Sequence, residues 1–137
     1  MATTVFNNGL DQLQDWTTDT FGFLLVDNVY VVDPDDVYVA AAAADELSGV
    51  GYARYAVATP TRTVDNALDR ITYDCEDPDF GTIAIGETAD AMILYRLVTN
   101  DADSPMIAHY PLGGVATTGL SFIVAIALAG IAYTEQG

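Results

Sequence analysis

Residues 121–133 read SFIVAIALAGIAY and form the most hydrophobic stretch of a chain that is otherwise crowded with acidic residues. The stretch is shorter than the roughly 20 residues that a helix needs to cross a bilayer, and Thr134 and Glu135 follow it directly, which argues against a membrane span. Its side chains alternate between a bulky face and a smaller apolar face, with Phe122, Val124, Ile126 and Leu128 on the first and Ile123, Ala125, Ala127 and Ala129 on the second. This period of two predicts a core strand whose smaller face is covered by another part of the chain or by a neighbouring subunit.

Other segments also have the composition of strands. FGFLLVDNVYVV (21–32) is rich in aromatic and β-branched residues and ends at the turn cluster DPDD. DAMILYRLV (90–98) and MIAHYPL (106–112) are separated by a polar loop, which predicts a hairpin. A second hairpin is predicted around DNALD (65–69), because the RITYDCE segment after it alternates apolar and polar residues.

Two segments favour short helices. The N-terminal segment has apolar residues at roughly helical spacing, namely Val5, Leu10, Leu13 and Trp16. A second helix is expected over about 36–47, where Asp35 or Asp36 would cap five consecutive alanines and SGVG would end the helix. With six to eight strands expected beside these helices, the sequence predicts a mainly β fold: one antiparallel β-sandwich domain over residues 1–137.

The charge balance restricts the classes of function. The chain has 20 Asp and Glu, four Arg and no Lys, which gives a formal net charge of -16. Binding to nucleic-acid phosphates requires clustered Lys and Arg, so we expect no nucleic-acid partner. Asp dominates over Glu, as in proteins of very salty cytoplasm, where salt screens the repulsion among carboxylates. A halophilic origin is therefore favoured over an ordinary acidic secreted or phage protein, and the first residues lack the pattern of a secretory signal.

The residues that usually carry catalysis are scarce. His109 is the only histidine, and it lies between apolar residues of a predicted strand, where a structural role is the simpler interpretation. Cys75 is the only cysteine, and Asp74 and Glu76 beside it should raise its pKa and make it a poor nucleophile. SGVGYA lacks the lysine of a phosphate-binding loop. We therefore expect no enzymatic activity and no cofactor.

Three acidic clusters offer oxygen ligands for calcium or magnesium, although none has the spacing of a calcium-binding loop. The weak candidate ligands are Asp33, Asp35 and Asp36 in the first cluster, Asp74, Asp77 and Asp79 in the second, and Asp101 and Asp103 in the third. Hydrated acidic turns are the favoured interpretation, so no metal site is predicted.

Five segments occur in a familiar order: FGFLLVDNVY (21–30), ELSGVGYARYAV (46–57), AMILYRL (91–97), SPMIAHYPLGG (104–114) and LSFIVAIALAGIAY (120–133). Together they cover most of the chain, and the chain resembles a family of small virion structural proteins from tailed phages and haloarchaeal tailed viruses. The resemblance implies a capsid accessory or decoration protein without enzymatic activity, located in the virion and assembled in the host cytoplasm.

On this interpretation the expected partners are the major capsid protein and other copies of the chain, with neither nucleic acid nor membrane involved. A second hypothesis is a subunit of the tail, baseplate, head fibre or head–tail junction, which would differ in copy number. A third, from another class, is an acidic binding module of a halophile that holds calcium or a sugar.

Overall fold

A computed structural model describes residues 3–126 and 132–135 and shows a mainly β, sandwich-like fold built from antiparallel sheets, as the sequence predicts. In chain order the strands are β1 (Thr4–Val5), β2 (Phe21–Val26), β3 (Tyr55–Ala56), β4 (Thr61–Asp65), β5 (Arg70–Asp74), β6 (Asp79–Thr82), β7 (Thr88–Arg96), β8 (Met106–Ala116), β9 (Ser121–Ile123) and β10 (Ala132–Glu135). They form a five-stranded sheet in the order β1-β8-β7-β2-β3, a three-stranded sheet in the order β10-β5-β4, and the pair β6-β9.

Strand β2 lies inside the five-stranded sheet, and all six of its residues are buried. Phe23 and Leu25 contribute to one hydrophobic cluster, while Leu24 and Val26 contribute to another on the opposite face. An antiparallel strand with one solvated face alternates apolar and polar residues, whereas a strand covered on both faces is apolar throughout. The run FGFLLV therefore reflects double burial of the central sheet.

The two smaller sheets form the second layer of the sandwich. Tyr73 of β5 and Phe80 of β6 belong to the same buried cluster as Phe23, and Phe122 of β9 packs against it. The Phe80 and Phe122 rings meet edge to face with centroids 6.4 Å apart, a favourable aromatic geometry. This layer contains the β4–β5 hairpin.

Loops and short helical turns cover the other face of the central sheet. Its cluster includes Phe6, Tyr30, Val39 and Ala42, all of which lie outside regular strands. The alanine-rich segment thus covers the central sheet.

The predicted helix over 36–47 is wrong. The segment forms two 3-10 turns instead, at Val39–Ala41 and Ala43–Asp45. Some of its amides form hydrogen bonds with distant segments: the Val39 amide donates to the Ser104 carbonyl oxygen at 3.0 Å. The spacing of three between Val39 and Ala42 places both side chains on the same side of a 3-10 turn, where both are buried. Tertiary hydrogen bonds and burial outweigh the helix propensity of alanine here.

The N-terminal helix is also shorter than expected. Val5 belongs to β1, and the only regular helical turn between residues 3 and 20 is the 3-10 helix Leu10–Leu13. Leu13 and Trp16 are buried as expected. A side chain at Gly9 would collide with the carbonyl group of Ile107, so close contact with β8 fixes this turn.

Both predicted hairpins are present. Strands β4 and β5 pair from Thr61 opposite Asp74 to Asp65 opposite Arg70, and β7 pairs with β8. Strand β2 ends at Val26, so the prediction of one strand over 21–32 is too long. The Asp27 carboxylate caps a turn there by accepting a hydrogen bond from the Val29 amide at 2.8 Å.

The C-terminal apolar stretch is only partly the core strand that its pattern predicts. Strand β9 ends at Ile123. The alternation itself is confirmed over 122–126, because Phe122, Val124 and Ile126 pack against the core while Ile123 and Ala125 are exposed. The strand stops because its partner β6 starts at Asp79, after an acidic turn whose Asp77 carboxylate accepts the Ile126 amide. The remaining residues of this prediction lie outside the described part: Ala127, Leu128 and Ala129.

Candidate interaction surface

The eight aspartates considered as metal ligands do not come together as a cation site. Each carboxylate accepts a hydrogen bond from the protein instead; the aspartates are Asp33, Asp35, Asp36, Asp74, Asp77, Asp79, Asp101 and Asp103. Four of the eight donors are backbone amides within one to four residues, the pattern of acidic turns. Within residues 3–126 and 132–135, no group of three His, Cys, Asp or Glu side chains has the geometry to hold a metal.

Asp101 has a structural partner that the sequence did not indicate. Arg54 binds Glu46 through Nε and Nη2, both at 2.7 Å, and binds Asp101 through Nη1 at 2.7 Å. Its guanidinium carbon also lies 5.5 Å from the centre of the Tyr95 ring. Arg54 lowers the pKa of Asp101, and the two carboxylates raise the pKa of the guanidinium. This ion-pair network fastens the loop before β3 to the alanine-rich segment and to the β7–β8 loop.

His109 has a structural environment, in keeping with its position in the sequence. The side chain is 5% exposed on β8, and its ring centre lies 6.1 Å from that of Tyr30. Within the described residues, its Nδ1 atom has no hydrogen-bond partner. Burial lowers the pKa of the imidazole, and the nearby Asp90 opposes this only in part. The imidazole is therefore neutral over a wider pH range than a free histidine.

Cys75 is unreactive by environment, as the flanking acids predict. Partial burial first, and then the charges of Asp74, Asp77 and Glu76, raise the pKa of the thiol to about 12. Almost no thiolate is present at neutral pH, so the side chain is a poor nucleophile.

A cavity of about 490 Å³ opens between the turn that follows β2, at Asp27 and Asn28, and the start of β7, at Thr88 and Asp90. Asp27, Glu87 and Asp90 are among its lining residues. The Glu87 carboxylate is already occupied, because it accepts the backbone amides of Ser48 and Gly49 at 3.0 and 2.8 Å. The cavity is a polar cleft between loops, and its Glu87 carboxylate serves to hold the 48–49 segment.

Three loops meet at one end of the molecule and expose large apolar side chains. Val50, Ile85 and Leu120 are 83%, 79% and 72% exposed, and we call these three residues the apolar tip. Hydrogen bonds hold the loops together: the Ala84 amide donates to the Val50 carbonyl oxygen at 2.9 Å, and the Gly119 amide donates to that of Ile83 at 3.0 Å. The tip is therefore presented by a connected backbone.

Thr117 adds a further tie beneath the tip. Its hydroxyl donates to the Ala84 carbonyl oxygen at 2.7 Å and accepts the Glu87 amide at 3.1 Å. The residue is 4% exposed, so these hydrogen bonds are shielded from water. Loops whose backbone is already fixed need little further ordering when a partner binds, which favours recognition.

The apolar tip lies in segments of the sequence that contain no acidic residue. Residues 80–86 contain no charged side chain, residues 47–64 contain no acid, and residues 104–134 contain neither acid nor Arg. Arg54 and Arg62 are the charged residues of these three segments, so the acids of the chain lie in other segments.

Sequence reasoning missed the apolar tip because its residues come from three distant segments. A signal was nevertheless present: Val50 lies between Gly49 and Gly51, Ile85 precedes Gly86, and Leu120 follows Gly119. At these three positions the large apolar residue beside the glycine lies in a loop between strands and is exposed there. Three such cases in one acidic chain form a recognisable pattern.

Comparison of the chain with protein-family models, with curated proteins and with solved structures found no match. Among the described residues, no helix is both long enough and apolar enough to cross a membrane.

Proposed function

We propose that the protein is a virion structural component, a capsid decoration protein that binds the major capsid shell through the apolar tip. The observation that carries the proposal is the cluster of Val50, Ile85 and Leu120, exposed on hydrogen-bonded loops in an otherwise acidic molecule. Exposed apolar side chains of this kind mark protein contact sites. The order of segments that resembles virion structural proteins of tailed viruses supports the same conclusion.

The acidic remainder of the surface suits this role. Copies arranged on a shell would turn acidic loops outward, and their net charge would keep particles dispersed. We also propose that the protein works at high salt, because 20 acidic side chains and no lysine give a strong self-repulsion that salt screens.

The experiment is a binding titration on particles assembled without this protein, followed by cosedimentation in molar NaCl. The wild-type chain should bind to saturation. Leu120→Asp should weaken binding by about tenfold or more, since burying a leucine side chain contributes about 1.5–3 kcal/mol. Leu68→Asp is the matched control, because Leu68 is 53% exposed in the β4–β5 turn, outside the tip.

Two results would contradict the proposal. One is a wild-type chain that does not bind the particles at any concentration. The other is equal loss of binding in Leu120→Asp and Leu68→Asp, which would show that added negative charge, and not the tip, determines binding.

A further inference from the structure

Strand β4 (Thr61–Asp65) is an open edge of the fold. Among residues 3–126 and 132–135, β4 pairs with β5 alone and ends the three-stranded sheet. Its first four residues are exposed, so side chains on both faces are solvated. With five residues it is the longest edge strand of the described chain. An exposed edge of this length is a template for pairing with another strand.

The other edge strands are shorter: β10, at the opposite edge of the same sheet, and β6 contain four residues each. Strands β1 and β3 contain two residues each and β9 contains three, which leaves little backbone to pair. Strand β6 is flanked by the segment that follows Val50, where the Ala53 amide donates to the Phe80 carbonyl oxygen at 3.1 Å. Short or covered edges are the usual protection against association, and β4 has neither.

The charges around β4 also fail to protect it. Residues 47–64 contain no acidic side chain, although the chain has 20 of them, and Arg62 is exposed in the middle of the strand. Acidic side chains on this edge would repel an identical edge, because copies of one chain carry the same charge. Apart from Asp65 at its end, the edge therefore lacks the acidic side chains that would repel an identical edge.

We propose that β4 pairs with β4 of a second copy of this chain in an antiparallel, two-fold symmetric contact. This goes beyond the proposed binding to a shell and does not depend on it. A symmetric antiparallel pair must be centred on one residue that faces itself. The strand runs over 61–65, so centring on Thr63 pairs all five residues.

This register is also the most favourable by side-chain chemistry. Thr63 faces Thr63 of the second copy, a pair that suits β-sheets, and Arg62 faces Val64. Thr61 faces Asp65, whose carboxylate can accept a hydrogen bond from the Thr61 hydroxyl. Centring on Arg62 would instead place two guanidinium groups directly opposite each other and pair only three residues of the strand.

Salt should promote the contact. Each copy has a formal charge of -16, so dilute buffer opposes association through long-range repulsion. Molar salt removes this repulsion and leaves backbone hydrogen bonds and the cross-strand pairs. The dimer population should rise with NaCl concentration.

The test is disulfide trapping in the full chain, in molar NaCl, with Cys75→Ala as the background. Thr63→Cys should form a disulfide-linked dimer, because directly opposed residues have Cα atoms about 5 Å apart, within the range of a disulfide. Thr61→Cys is the control on the same strand and face. Its two copies would lie about 13 Å apart along the strand and should not be linked.

Sedimentation velocity without any new cysteine gives an independent measurement. The wild-type chain should dimerise in molar NaCl, and Arg62→Glu should weaken dimerisation by about tenfold, because the change occurs twice in a two-fold contact and places acid on both edges. Leu120→Asp should leave dimerisation unchanged while it removes shell binding.

The proposal is overturned if the wild-type chain stays monomeric in molar NaCl, or if Thr61→Cys is linked as readily as Thr63→Cys. It is also overturned if Leu120→Asp abolishes dimerisation and Arg62→Glu does not, since the tip would then be the contact between copies. Loss of shell binding with intact dimers would contradict only the proposed function.

Discussion

Arg54 is the side chain that connects most segments of the fold. Its guanidinium is one quarter exposed and forms paired hydrogen bonds with Glu46 and with Asp101. Glu46 also accepts the Tyr52 hydroxyl at 2.6 Å, and that hydroxyl accepts the Leu25 amide at 3.1 Å. The network thereby links the central strand β2 to three loops.

Replacement of Arg54 should destabilise the folded protein. We expect Arg54→Ala to lower the free energy of unfolding by about 2–3 kcal/mol, because it leaves Glu46 half-buried without its cation. Arg54→Lys should recover little of this, since an ammonium group cannot form two paired contacts. Chemical denaturation measures both. Arg62→Ala on the exposed strand β4 is the control and should change stability by less than about 0.5 kcal/mol. Equal effects at Arg54 and Arg62 would contradict the structural role.

His109 predicts a pH dependence in a range where carboxylates do not titrate. Burial lowers the pKa of its imidazole below the ordinary value of 6.5, so the unfolded chain takes up the proton first as pH falls. Its contribution to stability is complete above the unfolded pKa of about 6.5 and is lost as pH falls below that value toward the lower pKa of the folded state. Denaturation at a series of pH values should show this loss, and His109→Leu should abolish it. The same slope in both chains would exclude His109 as the cause.

At the scale of elements, two glycines allow close contact beneath the apolar tip. Gly51 has φ of +91°, and a side chain there would collide with the carbonyl oxygen of Thr82. Gly81 has the same φ and faces the carbonyl oxygen of Gly51. The loop of Val50 can approach β6 only because neither position has a Cβ atom.

Gly51→Ala should therefore destabilise the protein more than an ordinary glycine substitution does. We expect a loss of about 3 kcal/mol in unfolding free energy, from backbone strain and steric collision together. Gly113→Ala is the matched control, because Gly113 has φ of +79° but open space around it, and it should cost only about 1 kcal/mol. Thermal denaturation compares them, and a Gly51 variant as stable as the Gly113 variant would show that the contact can relax.

The elements differ in how far the sequence predicts them. The two hairpins could be predicted because local turns and strand patterns specify them, as at 65–69. The helix over 36–47 could not be excluded, because its amides bond to Ser104 and Asp101, residues distant in sequence. The apolar tip depends on the same kind of long-range contact: Val50, Ile85 and Leu120 become neighbours only in the folded chain.

For the whole molecule, the net charge of -16 makes stability depend on the salt concentration of the solvent. Every acidic residue whose burial the structure describes is at least partly exposed, and Arg54 and Arg96 form ion pairs with three of them. Unpaired like charges repel one another in the compact state, and molar salt shortens the range of that repulsion to a few ångströms.

The melting temperature should therefore rise steeply with salt. In a protein of this size, each 1 kcal/mol of relieved repulsion raises Tm by about 4 °C. Differential scanning fluorimetry from millimolar to molar NaCl measures the change, at protein concentrations low enough to exclude dimers. A Tm that does not depend on salt would contradict a protein adapted to high salt.

The central claim is that this chain is a part of the virion that covers its shell. Quantitative mass spectrometry of purified particles tests it most directly, by counting copies of the chain against copies of the major capsid protein. The account predicts a number that scales with the shell, on the order of hundreds per particle, as symmetric decoration requires. Tens of copies would indicate a tail or junction subunit instead, and absence of the chain from purified particles would contradict the account.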